Sequence, residues 1–103
     1  MIVHFGSFLH TSLMSKSIIT VVGRDQVGII ARVCTYLADN DVNILDISQT
    51  IVDGFFNMMM IADTEKSAKE FKVLSQELEE LGRMMSCIIK LQREEIFESM
   101  QRI

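Results

Sequence analysis

Residues 44–62, ILDISQTIVDGFFNMMMIA, decide the fold. Two runs rich in β-branched, Phe and Met residues flank Asp53-Gly54, and Asp-Gly between such runs is the strongest short-range signal for a two-residue hairpin turn. The turn sets the register. Val52 falls opposite Phe55, Ile51 opposite Phe56, Gln49 opposite Met58, Ile47 opposite Met60 and Leu45 opposite Ala62. The last four pairs share one face, which is almost wholly apolar and requires a core. Alternation gives the other face Asp46, Ser48, Thr50, Asn57 and Asp63 among Ile44, Val52, Phe55, Met59 and Ile61. A slip of one residue would exchange the faces, so the register is specified.

Outward from the hairpin toward the N-terminus, Asp39-Asn40-Asp41 breaks a helical pattern that begins after Asp25, a good N-cap. Val27, Ile30, Cys34 and Leu37, with Val33 and Ala38 beside them, form the apolar stripe of that helix. Before it, SIITVV at 17–22 reads as a strand ending at Gly23, with Ile19 and Val21 toward the core. In the other direction, Ser67 with Glu70 makes a capping-box signature for a second helix, lined by Ala68, Phe71, Leu74, Leu78 and Leu81 and placed to end at Gly82. A fourth strand is expected from about Met85 to Gln92, with Cys87, Ile89 and Leu91 inward.

The order is strand, helix, strand, strand, helix, strand. Right-handed crossovers leave a slot between strands one and two that strand three fills. The expected fold class is therefore α+β, a ferredoxin-like βαββαβ sandwich: a four-stranded antiparallel sheet in order 4-1-3-2 with two helices on one face and a short C-terminal helix. The domain spans residues 16–92. Residues 1–15 are expected to be a flexible N-terminal extension, Met14 being a natural beginning, which makes His4 and His10 poor ligands. Residues 93–103 carry Ile96, Phe97, Met100 and Ile103 at helical intervals and are expected to form the C-terminal helix. Strand two is long and apolar for an edge, which predicts pairing with a second copy as a homodimer.

Composition narrows the function. A chain of 103 residues with a formal charge of −4 is one domain without the clustered cations of a nucleic-acid binder. No apolar run approaches a membrane span, so no membrane partner is expected. Cys34 and Cys87 lack metal-ligand spacing and read as buried thiols in a reducing, cytoplasmic setting. No catalytic constellation, no metal site and no cofactor motif is present, so an enzyme is not expected. Met58-Met59-Met60 alternates across the sheet and serves packing. An acylphosphatase on this fold would need a richer basic loop than Arg24 supplies, and Gly54-Phe55-Phe56 is only faintly similar to an RNA-recognition strand.

The stretch with a physical reason to bind is Gly23 to Gly28, where two glycines allow a tight path and a helix N-terminus offers free N–H groups to a carboxylate. Gly28 in the first helical turn costs about 1 kcal/mol relative to alanine, so a ligand or close backbone packing must justify it.

At these residues the chain resembles the ACT domain family. The resemblance covers residues 17–92: a strand ending at Gly23, then Asp25, Val27, Gly28 and Ile29 opening a helix, then Val42-Asn43-Ile44 starting strand two. Where this chain has Val27, ACT domains commonly have proline. NILDISQTIVDGFF and the closing EEIFESMQRI resemble the small stand-alone ACT-domain proteins of bacteria and archaea, and are similar to the halves of glycine-cleavage repressor-type regulators. The resemblance implies a non-enzymatic regulatory module that binds a small molecule, an amino acid, at a homodimer interface and reports occupancy to a partner protein. It implies a ligand site at Arg24, Asp25, Gln26, Val27, Gly28, Ile29, Asn43 and Ile44. The carboxylate would meet N–H groups near Val27 to Ile29, and the ammonium Asp25 or Asn43. Asp25 has a competing duty as helix cap, and Asn43 as a turn residue. The alternative is a ligand-free assembly domain.

Overall fold

The computed structural model describes residues 16–93. The elements follow in the order β1 (Lys16–Gly23), α1 (Gln26–Asp39), β2 (Asn43–Val52), β3 (Phe55–Asp63), α2 (Phe71–Met84) and β4 (Ile88–Arg93). The sheet order is β2-β3-β1-β4, the expected arrangement read from the other edge, and every neighbouring pair is antiparallel. The residues expected for the N-terminal extension, and those expected for the C-terminal helix beyond Arg93, lie outside the described residues. Arg93 itself closes β4.

The hairpin register is the one the Asp-Gly turn demands. Val52 pairs with Phe55, Ile51 with Phe56, Gln49 with Met58 and Ile47 with Met60. Asp53 and Gly54 both take positive φ, 54° and 82°, as a two-residue hairpin loop of this kind requires. At the far end the register shifts: Ile44, not Leu45, pairs with Ala62, and a bulge separates Ile44 from Asp46. The bulge brings both Ile44 and Ile47 against the core.

The core lies between the sheet and the helical layer. Ile19 and Val21 of β1, Phe56, Met58, Met60 and Ala62 of β3, and Ile89 and Leu91 of β4 meet Ile29, Val33 and Leu37 of α1 and Leu74 and Leu78 of α2. Burial of α1 is therefore centred on the Ile29-Val33-Leu37 line, one residue away from the expected stripe. Ile30 and Cys34 are half-buried, Ala38 is exposed and Val27 stands 81% exposed. The reason is the entry point: with Asp25 as cap, the helix turns Ile29 onto Gly23 and the sheet.

Both helices end in the same way. In α1 the Asp41 N–H donates to Ala38 O and the Val42 N–H to Leu37 O; in α2 the Ser86 N–H donates to Arg83 O and the Cys87 N–H to Gly82 O. These are Schellman caps, and the left-handed residue is Asp41 in one and Ser86 in the other. Gly82 is thus not the stop residue. It lies buried inside α2, where a Cβ would come within 2.8 Å of Cys87 O, so glycine is needed to let the returning strand pass.

The start of α2 also differs from expectation. The helix begins at Phe71 with Glu70 as N-cap and no side-chain cap bond, while Ser67 Oγ accepts the Lys69 N–H in a separate turn. The capping pattern was displaced because residues 64–70 form turns that move the N-cap three residues on, from Ser67 to Glu70.

Candidate functional site

The loop after β1 is built from short-range bonds. The Asp25 carboxylate accepts the Gly28 N–H at 3.4 Å, Asp25 O accepts the Ile29 N–H at 2.9 Å, and Arg24 O accepts the Gln26 N–H at 2.9 Å. A Cβ at Gly28 would lie 2.6 Å from Asp25 Oδ2, so the glycine makes room for the cap. Among the donors of the first turn, the Val27 N–H has no protein acceptor among the described residues.

Gly23 sits where three elements converge. A Cβ there would meet Ile29 Cδ1 at 2.5 Å and Cys87 Cβ at 2.8 Å, so the loop can lie against both α1 and the turn before β4 only with glycine at this position. The Arg24 guanidinium stacks over the Phe55 ring, 4.6 Å from its centroid. Gln26 Nε2 donates to Gln49 Oε1 of β2 at 3.3 Å, tying the loop to the edge strand.

Beside this loop a cavity of about 450 Å³ opens between Val22–Asp25 on one side and the Met85–Ile88 turn on the other, with Phe55 between them. Its walls are mainly apolar. Burial pushes the Cys87 thiol pKa up, so that this side chain behaves as a small neutral wall group. Sequence reasoning did not find Met85 to Ile88 as a site segment, since their place beside the loop follows from the β1–β4 pairing.

The expected ligand residues fall into two groups. Arg24, Asp25, Gln26, Val27 and Gly28 share the loop, whereas Ile29 is buried in the core behind it. Asn43 and Ile44 lie at the other end of the sheet, because Asn43 pairs with Asp63, which pairs with Lys16 at the start of β1. Seven residue steps along β1, about 23 Å, separate Lys16 from Gly23. One chain does not bring the two groups together.

Large exposed apolar side chains gather at the loop end. Val27, Ile51, Val52, Met84 and Ile88 are each more than half exposed, and all flank the loop, the hairpin tip or the α2–β4 turn. Among the described residues no group of His, Cys, Asp and Glu could hold a metal ion, and no helix is long and apolar enough to cross a membrane.

A family model described as ACT domain matches residues 16–92. A UPF0237 protein of Bifidobacterium longum is 60% identical over 90 residues, covering 87% of this chain and all of that protein. An ACT domain protein from Streptococcus pneumoniae superposes with a TM-score of 0.72 at 40% identity, covering 82% of this chain and 96% of that one. A protein provisionally named a glycine cleavage system transcriptional repressor shares the fold at 15% identity and TM-score 0.66, over 77% of this chain and 46% of its own.

Proposed function

The chain belongs to the ACT domain family, and from that premise we propose that it is a non-enzymatic regulatory module that senses an amino acid at the interface of a homodimer. The observation that carries the reading is the loop after β1, where the Arg24 guanidinium, with no ion pair among the described residues, and the Asp25 carboxylate stand together beside the first turn of α1. A ligand carboxylate is received there, at the positive end of α1.

The dimer completes the site. β2 is a ten-residue edge strand, against six residues in the opposite edge β4, and Ile51 and Val52 stand exposed on it. Antiparallel pairing of β2 with β2 of a second copy sets the Asn43 end of each strand beside the hairpin-tip end of the other. Asn43 and Ile44 of one copy then approach the loop of its neighbour, and the ammonium is received by Asp25 or by that Asn43. Occupancy is reported to a regulated protein partner through association. A cytoplasmic location suits Cys34 and Cys87, both free thiols.

The test is calorimetric titration of the twenty amino acids into the wild-type chain and into Arg24→Ala and Asn43→Ala. Arg24 is exposed and precedes the helix, so Arg24→Ala removes the cation without breaking α1. The reading expects saturable binding of at least one amino acid, weakened tenfold or more by both variants. Absence of binding by all twenty leaves the ligand-free assembly domain as the function.

A further inference from the structure

The cavity beside the loop says which amino acids the site would take. We infer that it receives the side chain of the ligand and selects apolar α-amino acids, an inference that rests on the amino-acid reading above. Four observations converge on it.

The walls are apolar. Val22, Phe55, Met85, Cys87 and Ile88 line the space, and among the described residues the only charged groups on it are Arg24 and Asp25, at its loop side. A zwitterionic head group fits between a cation and a carboxylate; an acidic or basic side chain would have to give up water to apolar walls. The volume of about 450 Å³ lies within the range of small-molecule pockets.

The Arg24 guanidinium is held but not consumed. It stacks on Phe55, and no ion pair or side-chain hydrogen bond among the described residues occupies its N–H groups. Stacking leaves the edge of the guanidinium plane open to a carboxylate.

Ile88 lies on the face of β4 opposite the buried Ile89 and Leu91 and is 60% exposed, so its apolar side chain is available to a ligand in the cavity it lines.

Ser86 is in the left-handed conformation, φ 56°, at the C′ position of α2. Glycine is the favoured residue there, and aspartate at the equivalent position of α1 belongs to a residue type that tolerates the conformation. Serine is strained and its hydroxyl makes no hydrogen bond among the described residues, yet it borders the cavity. A costly residue at a cavity wall points to use of its side chain, here as a hydrogen-bonding group to the ligand head.

The experiment uses the full chain with L-leucine, L-methionine and L-phenylalanine, and with L-aspartate and L-lysine as contrasts. Two variants at exposed positions probe the cavity: Ile88→Lys and Ser86→Gly. The inference expects one or more of the three apolar amino acids to bind at least tenfold more tightly than the two charged ones. Ile88→Lys should weaken that binding more than tenfold. Ser86→Gly should raise the melting temperature by about 5 °C and still weaken binding about three- to tenfold, separating the side chain's use from its cost to the fold. Binding that is insensitive to both variants but lost in Asn43→Ala, or that favours L-aspartate or L-lysine, overturns the cavity inference and leaves the amino-acid reading intact. Absence of binding by these five and by the rest of the twenty titrated above overturns both.

Discussion

Asp25 and Gly28 are a matched pair: the carboxylate of one accepts the N–H of the other, and the space a Cβ would need at Gly28 is occupied by Asp25 Oδ2. Removing the carboxylate costs the cap, about 1 kcal/mol. Adding a methyl at Gly28 gains about 1 kcal/mol of helix propensity but displaces that same carboxylate. Asp25→Ala should therefore destabilise by about 1 kcal/mol and Gly28→Ala change little. In the Asp25→Ala background, Gly28→Ala should stabilise by about 1 kcal/mol. Urea denaturation of the four proteins measures the coupling, and additive effects would show that the cap does not explain the glycine.

Gly82 is under a stricter constraint, because its neighbour is backbone. A Cβ would lie 2.8 Å from Cys87 O and 3.2 Å from the Ile89 nitrogen, neither of which can rotate away. Gly82→Ala should cost about 1–3 kcal/mol by overpacking, despite the gain in helix propensity. A denaturation midpoint equal to wild type would show that β4 can retreat from α2.

The two helices are clasped at their outer surface by Tyr36, whose hydroxyl donates to Glu77 Oε1 at 2.6 Å, while Lys69 Nζ donates to the same oxygen at 2.7 Å. The hydrogen bond from Lys69, then that from Tyr36, lowers the Glu77 pKa. A lowered carboxylate pKa contributes stability that is present above the unfolded value, about 4.3, and is lost as pH falls through the folded value. Burial first, and then Glu77, raises the Tyr36 pKa; this contribution is complete below the unfolded value of about 10 and fades as pH rises above it. Glu77→Gln should therefore flatten the acid limb of the stability profile below about pH 4.3, and Tyr36→Phe the alkaline limb above about pH 10. Melting temperatures across pH 3–11 check both, and unchanged limbs would refute the clasp.

The proposed edge pairing through β2 makes Ile51 a test residue, since it is 67% exposed in the single chain. Ile51→Lys should leave the circular dichroism spectrum unchanged and shift the particle from dimer to monomer in light scattering. A dimer that persists with lysine at this position would move the interface away from β2.

The hairpin was the most legible part of the chain, because Asp53-Gly54 admits one loop length and the alternation of Ile47, Gln49 and Ile51 against Met60, Met58 and Phe56 admits one register. Legibility failed where tertiary contacts override local pattern. The bulge at Leu45 exists so that Ile44 and Ile47 both reach the core, a demand set by the helices rather than by the strand. Gly82 read as a helix stop because its need for space comes from the chain returning at Cys87 and Ile89, past the cap, which no pattern within the helix announces. The loop from Arg24 to Gly28 was readable from its glycines and its cap. Its neighbour, the turn Met85 to Ile88, was not, because only sheet pairing brings the two together.

The account turns on whether the folded chain binds an amino acid, and a thermal-shift screen of the twenty amino acids tests this most directly. A ligand at one hundred times its dissociation constant adds about 2.7 kcal/mol to the folded state. The account predicts a rise in melting temperature of about 10 °C or more with at least one apolar amino acid. A melting temperature unmoved by all twenty at millimolar concentration would contradict it and assign the loop and the edge strand to assembly alone.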